Sequence, residues 1–203
     1  MKEKLIKSKR RVRDFGEVLT GRNIVDKMLD TLPQGYLTYG KEGFEKKVFE
    51  PTCGTGNFLV AILEKRLKAI KNSQQHIYYK TINAYISLGS LYGIDIQYDN
   101  VLECRNRLKT LLIEYLNEMG LKVTQSLIDL LLTTNIQCGD TLKMDWFEVF
   151  DLQFIFKGSL VAYPVKTDEF VLTKWKMNLK NGESEYVKTV PQIHIAFPRN
   201  TYN

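Results

Sequence analysis

The densest chemistry in this sequence lies at Glu50-Pro51-Thr52-Cys53-Gly54-Thr55-Gly56-Asn57-Phe58. Glycines at 54 and 56 let a backbone turn sharply and approach a ligand closely, and a helix opening just after them would present free N–H groups to a polar partner. The run lacks the third glycine of a dinucleotide-binding fingerprint and the lysine of a phosphate-binding loop. A second element sits at Tyr92-Gly93-Ile94-Asp95-Ile96, where an acid at the end of an apolar run can accept hydrogen bonds from the two hydroxyls of a ribose. Asp95 follows Gly56 by 39 positions, more than the usual ~20; an inserted helix accounts for the excess. The plain alternative is a Gly-rich turn and a strand-end acid with no ligand between them.

These residues must be positioned by regular elements, and the apolar spacing supplies them. Lys47 to Phe49 reads as a short strand and Phe58 to Ile70 as an amphipathic helix, so the Gly-rich run is a strand–turn–helix junction. The order repeats with a strand at Leu91 to Ile96 and a helix from Asn100 to Met119 stopped by Gly120. Two βα units in succession favour a parallel sheet. Asn23 is placed to cap a helix through Ile24, Val25, Met28, Leu29 and Leu32, with Asp14 to Thr20 a loop before it. The extra helix falls near Ile77 to Ile86, and a helix at Ser126 to Leu132 precedes a strand near Ile136. Phe150 to Phe156 reads as a further strand. Alternation from Phe170 to Leu179, the Asn181-Gly182 turn and Tyr186 to Val190 predict an antiparallel hairpin, with Ile193 to Phe197 as a third strand.

The 203 residues, 44% of them apolar, suffice for one well-buried domain. No apolar stretch reaches the roughly 18 residues of a membrane helix, and a soluble, cytoplasmic protein is expected. Cys53, Cys104 and Cys138 have neither CxxC spacing nor paired histidines, so no metal site is expected. Residues 1–13 carry seven basic side chains against one acid, which accounts for the whole net charge of +6. Within this basic arm Lys9, Arg10, Arg11 and Arg13 are candidates for contact with nucleic-acid phosphates; a solvated tail that aids solubility is the other reading. The expected division is the arm at 1–13, a cofactor-binding domain at 14–165 and a hairpin extension of it at 166–203.

Taken together, residues 50–58 are similar to the S-adenosylmethionine motif of adenine-specific DNA methyltransferases of the restriction-modification type. Phe15 to Thr20, followed by Ile24 to Leu29, resembles that family's upstream cofactor motif. Tyr92 to Asp99 resembles its ribose-binding motif, and Asn135 to Leu142 the one after it. The resemblance spans residues 14–151 in the family's order. It implies a three-layer, Rossmann-like α/β fold with a mainly parallel sheet. It implies that Thr20 and Glu50 hold the methionine end of S-adenosylmethionine, with Gly54 and Gly56 beneath it, and that Pro51 also binds the cofactor. Asp95 would bind the ribose, Ile96 would pack on the adenine and Asp140 would accept from its amino group. Gly21 departs from the family's usual proline.

A second departure is larger. In this family a strand beginning Phe-Asp leads into Asn-Pro-Pro-Tyr or Asn-Pro-Pro-Phe, which grips the target amino group and stacks on the flipped base. Here Phe150-Asp151 is followed by Leu152-Gln153-Phe154-Ile155-Phe156-Lys157-Gly158-Ser159, and no Asn-Pro-Pro or Asp-Pro-Pro occurs in the chain. Ala162-Tyr163-Pro164 and Phe197-Pro198-Arg199-Asn200 hold similar letters in another order. Three readings stay open: a cofactor-binding methyltransferase-like protein acting on DNA, truncated or relying on a second chain for catalysis and target recognition; a catalytically inactive binding or regulatory protein; and a methyltransferase on a non-adenine acceptor.

Overall fold

In the computed structural model, residues 5–38 and 43–141 are described in full; beyond them the structure describes the strand backbones of 150–155, 159–164, 176–177 and 193–196. Strand β1, Val48–Glu50, leads through the Gly-rich turn into α3, Asn57–Asn72. Two shorter helices precede them, α1, Lys9–Phe15, and α2, Arg22–Asp30. After α3 come α4, Ile77–Gly89, and β2, Leu91–Asp95; then α5, Tyr98–Glu118, α6, Gln125–Asn135, and β3, Ile136–Cys138. The three strands form one parallel sheet in the order β1-β2-β3, with Glu50 level with Gly93 and Asp95 level with Cys138. The result is an α/β arrangement of a small parallel sheet and six helices, compatible with a methyltransferase fold. Parallel neighbours need long crossovers, and each here contains two helices.

Helix α3 buries Leu59, Leu63 and Ile70 completely, while α5 buries Val101, Cys104, Leu108 and Leu112 at three- and four-residue spacing. These two stripes pack against each other and on the sheet, forming the centre of the core. The end of α5 is fixed by Gly120, whose φ of +67° is reached cheaply only without a Cβ. Leu121 N–H donates to the Leu116 carbonyl at 2.7 Å and Gly120 N–H to Asn117 at 3.0 Å, which satisfies two of the orphan carbonyls.

One charge lies inside this core. Arg66 on α3 is 0% exposed and donates to the carbonyls of Leu37, Lys46 and Ser87 and to Ser90 Oγ. Burial pushes its guanidinium down to about 10, still charged at neutral pH. It thereby ties the chain before β1 to the α4–β2 corner.

Several boundaries differ from the sequence reading. Asn23 does not cap α2; the helix starts at Arg22, and the Gly21 carbonyl accepts from Ile24 and Val25. The loop expected from Asp14 begins two residues later, at Gly16, which ends α1 with φ of +65°; Ser8 Oγ opens that helix by accepting from Arg11 N–H. Strand β4, Phe150–Ile155, matches the expected strand but pairs antiparallel with an unexpected β5, Ser159–Pro164. In that four-stranded sheet β7, Ile193–Ala196, lies antiparallel to β5, and β6, Lys176–Met177, runs parallel to β4. The expected hairpin between 170–179 and 186–190 lies outside the described residues except for Lys176 and Met177.

Candidate functional site

The C-terminal ends of the three parallel strands hold the predicted site residues. Past Glu50 the chain stays beside β2, where Cys53 N–H donates to the Ile94 carbonyl at 2.8 Å, and then turns through Gly54 and Gly56 with φ of +53° and +82°. The glycines are required by the protein's own packing. A Cβ on Gly54 would meet Leu19 Cδ2 at 3.1 Å, and one on Gly56 would collide with Cys104 Sγ. Gly93 on β2 lies under Cys53 and Leu59 in the same way, with 2.9 Å to each.

Asp95 holds the turn from the neighbouring strand. Its Oδ2 accepts Gly54 N–H at 2.9 Å, and its Oδ1 accepts Gln97 N–H at 2.8 Å and Asn100 Nδ2 at 3.1 Å. Of about four acceptor positions on a carboxylate, three are filled and one remains on Oδ2. Ile96 follows with its side chain 52% exposed, an apolar surface left open beside the acid.

Glu50 is the opposite case. Its Oε2 is buried without a hydrogen-bond partner, and burial, reinforced by the negative charge of Asp95, pushes the carboxyl up to about 8. Desolvation disfavours the ionised form, so at neutral pH this group is mostly protonated. Cys53, buried between the two, has its thiol raised by its hydrogen bond with Cys104 and by burial, which keeps it a neutral packing group and not a nucleophile.

The other predicted residues close the rim. Gly139 N–H donates to the Asp95 carbonyl at 3.1 Å and Thr141 Oγ1 to the Pro51 carbonyl, so Asp140 lies on a bridge between the ends of β1 and β2. The Thr20 carbonyl accepts Asn57 Nδ2 at 2.6 Å, which brings the α1–α2 loop to the start of α3. Thr20, Glu50, Pro51, Gly54, Gly56, Asp95, Ile96 and Asp140 therefore surround one strand-end cradle. The four basic candidates separate. Arg10 and Arg13 have side chains 84% and 76% exposed and pair with Asp14, and Lys9 is exposed. Arg11 instead faces inward, 18% exposed, against Glu17 and Asp99.

Three supporting residues were not anticipated. Arg107 on α5 donates to the Thr55 carbonyl and to Asn57 Oδ1, both at 2.7 Å, clamping the Gly-rich turn. Glu17 and Asn100 meet beside Asp95, with Asn100 Nδ2 donating to Glu17 Oε2 at 3.2 Å. No local pattern announces such contacts, since Arg107 and Thr55 are 52 positions apart. Among the described residues, no group of three or more His, Cys, Asp or Glu is placed to hold a metal ion, and no helix is long and apolar enough to cross a membrane.

The cradle's ends hold one acid with an open acceptor position and another, buried and protonated, whose oxygen lacks a partner. No curated protein and no solved structure matches the chain. The model of one family, described as MmeI, DNA-methyltransferase domain, matches residues 37–180, a span that takes in β1, the Gly-rich turn, Asp95 and Asp140 and continues past Phe150-Asp151. That is more than two thirds of the 203 residues, and the chain belongs to this DNA-methyltransferase domain family of restriction-modification type.

Proposed function

We propose that the chain binds S-adenosylmethionine at the ends of β1 and β2 as the cofactor-holding part of a DNA adenine methyltransferase. The observation that carries the reading is the pairing of Glu50 and Asp95 across the Gly-rich turn. A buried carboxyl with an orphaned oxygen is costly unless a cation completes it, and the ammonium and sulfonium groups of this cofactor are such cations. Asp95 takes a ribose hydroxyl on its remaining acceptor position; with Gly54 N–H in place, only one hydroxyl bonds to it directly. Ile96 offers its exposed face to the adenine ring, and Asp140 accepts from the adenine amino group. Thr20 and Pro51 border the methionine end.

S-adenosylmethionine supplies an electrophilic methyl, but adenine's amino nitrogen is a poor nucleophile whose lone pair is delocalised into the ring. Acceptors that draw off its hydrogens and hold it in line are therefore needed, and the family's Asn-Pro-Pro-aromatic element provides them. Phe150-Asp151 in this chain is followed by no such element. We therefore assign to these 203 residues cofactor binding, and to residues outside them, on a second chain or a continuation, the grip on the base. The same absence favours one alternative, a methyltransferase-fold protein that binds the cofactor without catalysing transfer.

A thermal-shift series with S-adenosylmethionine, followed by label transfer to unmethylated DNA, tests both parts. Stabilisation of about 2–3 kcal/mol at a hundredfold excess over Kd, without label on adenine, is expected. No shift at millimolar cofactor contradicts the binding reading. Stoichiometric transfer by this chain alone contradicts the assignment of the grip elsewhere, and Tyr163-Pro164 and Asn200 would then be the first acceptors to replace.

A further inference from the structure

The inward turn of Arg11 has a chemical continuation that ends at Asp95. Arg11 holds Asp99 with both arms of its fork, Nη1 to Oδ2 at 2.6 Å and Nη2 to Oδ1 at 3.0 Å. The same guanidinium donates from Nε to Glu17 Oε2 at 2.9 Å, and its Nη2 lies 2.7 Å from that oxygen as an ion pair. That Glu17 oxygen also accepts from Asn100, whose amide donates to Asp95 Oδ1 as well. Asn100 is 1% exposed, and both its Oδ1 and Glu17 Oε1 are buried without partners. Lys7 adds ion pairs to Asp99 at 3.1 Å and Glu103 at 2.7 Å on the same turns of α5.

The arrangement places one amide between two carboxylates, one hydrogen for each. Two part-buried carboxylates sharing a neutral donor repel unless a cation balances one of them, and Arg11 is that cation for Glu17. Without it Glu17 is drawn out toward water. The Asn100 amide then loses one of its two anchors and can rotate to present its orphaned carbonyl to Asp95, which would turn an attraction into a repulsion. We infer that Arg11, Glu17 and Asn100 form a positioning relay for Asp95, through which docking of the N-terminal segment sets the geometry of the ribose contact. The inference deepens the cofactor reading and rests on it for the identity of what Asp95 binds. It also gives Lys7 and Arg11 work inside the molecule, leaving Lys9, Arg10 and Arg13 as the outward charges among the described residues of the arm.

Amide hydrogen exchange on the full chain gives a readout that needs no cofactor. Gly54 and Gln97 N–H both donate to Asp95, whereas Leu63 N–H lies in the buried centre of α3. Arg11→Met is expected to speed exchange at Gly54 and Gln97 by about tenfold while Leu63 is unchanged. Arg11→Lys keeps the charge but loses the fork, and about threefold is expected. Affinity for S-adenosylhomocysteine should fall in the same order, by about tenfold and threefold, with affinity for methionine alone unchanged. Unchanged exchange at Gly54 and Gln97 in both variants overturns the relay. Should Arg11→Met unfold the protein and speed Leu63 equally, Arg11→Lys decides: a rise confined to Gly54 and Gln97 supports the relay, and a uniform or absent rise overturns it. Failure of the unaltered protein to bind S-adenosylhomocysteine at millimolar concentration would overturn the ribose reading of Asp95, and the exchange rates would still judge the relay.

Discussion

Two carboxylates end neighbouring parallel strands, and they are held in opposite ways. Asp95 on β2 accepts from three donors within 3.1 Å, on both of its oxygens. Glu50 on β1 is buried with an orphaned oxygen and raised to about 8, so it rests as an acid. The difference teaches how one cradle divides its tasks. An acid already saturated by the protein fixes the shape of the turn and spares one acceptor position. An acid left without a counter-ion is a place where a cation from outside completes the structure. In the proposed reading the first holds the turn and the second selects the cation.

The largest test of this contrast is Asp95→Ala. It strips the acceptor from Gly54, Gln97 and Asn100 at once, and hydrogen bonds to a charged group contribute roughly 1.5–3 kcal/mol each before relaxation. We expect a loss of several kcal/mol in unfolding free energy by urea titration and at least a tenfold weaker hold on S-adenosylmethionine by calorimetry. A variant as stable as the original would mean that Asp95 does not organise the turn.

Glu50 gives a smaller effect of opposite sign. Because its folded carboxyl titrates near 8 and an unfolded one near 4.3, the folded chain holds more protons between those values. Its contribution to stability is therefore complete below about pH 4 and is lost as pH rises toward 8. Glu50→Gln removes that loss, and at pH 8 it should be more stable than the original by about 2–4 kcal/mol. Its affinity for cofactor should nevertheless fall about tenfold, since the ammonium loses its counter-charge. Parallel stability curves for the two proteins from pH 5 to 8 would dissolve the distinction between the two acids.

The same inside-versus-outside contrast separates the N-terminal cations, with the smallest effect. Replacing Arg10 and Arg13 by Gln should lower the slope of log affinity for non-specific DNA against log salt by up to about 1.8, because each exposed cation releases about 0.9 counterion. Arg11→Gln should leave that slope unchanged, its charge being already paired with Glu17 and Asp99. Equal slopes for all three proteins would assign the exposed arginines to solubility.

Much of this cradle can be read from the chain because its parts are local. Glu50 to Asn57 announces a strand–turn–helix by composition, and the run from Leu91 to Ile96 reads as a strand with the acid near its end, one residue longer than β2. The αL conformations of Gly54 and Gly56 follow from residue type. What crowds those glycines does not, since Leu19 and Cys104 are supplied from distant segments. The ionisation of Glu50 is likewise a property of the burial around it. Arg11 was misleading for a related reason: a run of basic residues reads as uniform charge, and only the helical turn opened by Ser8 decides which member faces Glu17. Strand β5 went unanticipated although Leu160 to Tyr163 is apolar enough for a strand, because a four-residue run has no period long enough to separate strand from loop.

The central claim is that Glu50 and Asp95 together hold S-adenosylmethionine, one by gaining a charge and the other through its remaining acceptor position. Calorimetric titration at pH 7 in two buffers of different ionisation enthalpy counts the protons released on binding. The account predicts saturable binding with release approaching one proton, since Glu50 must ionise beside the ammonium, and release close to zero for Glu50→Gln. Binding with equal proton release by both proteins, or no binding heat at millimolar cofactor, would contradict it.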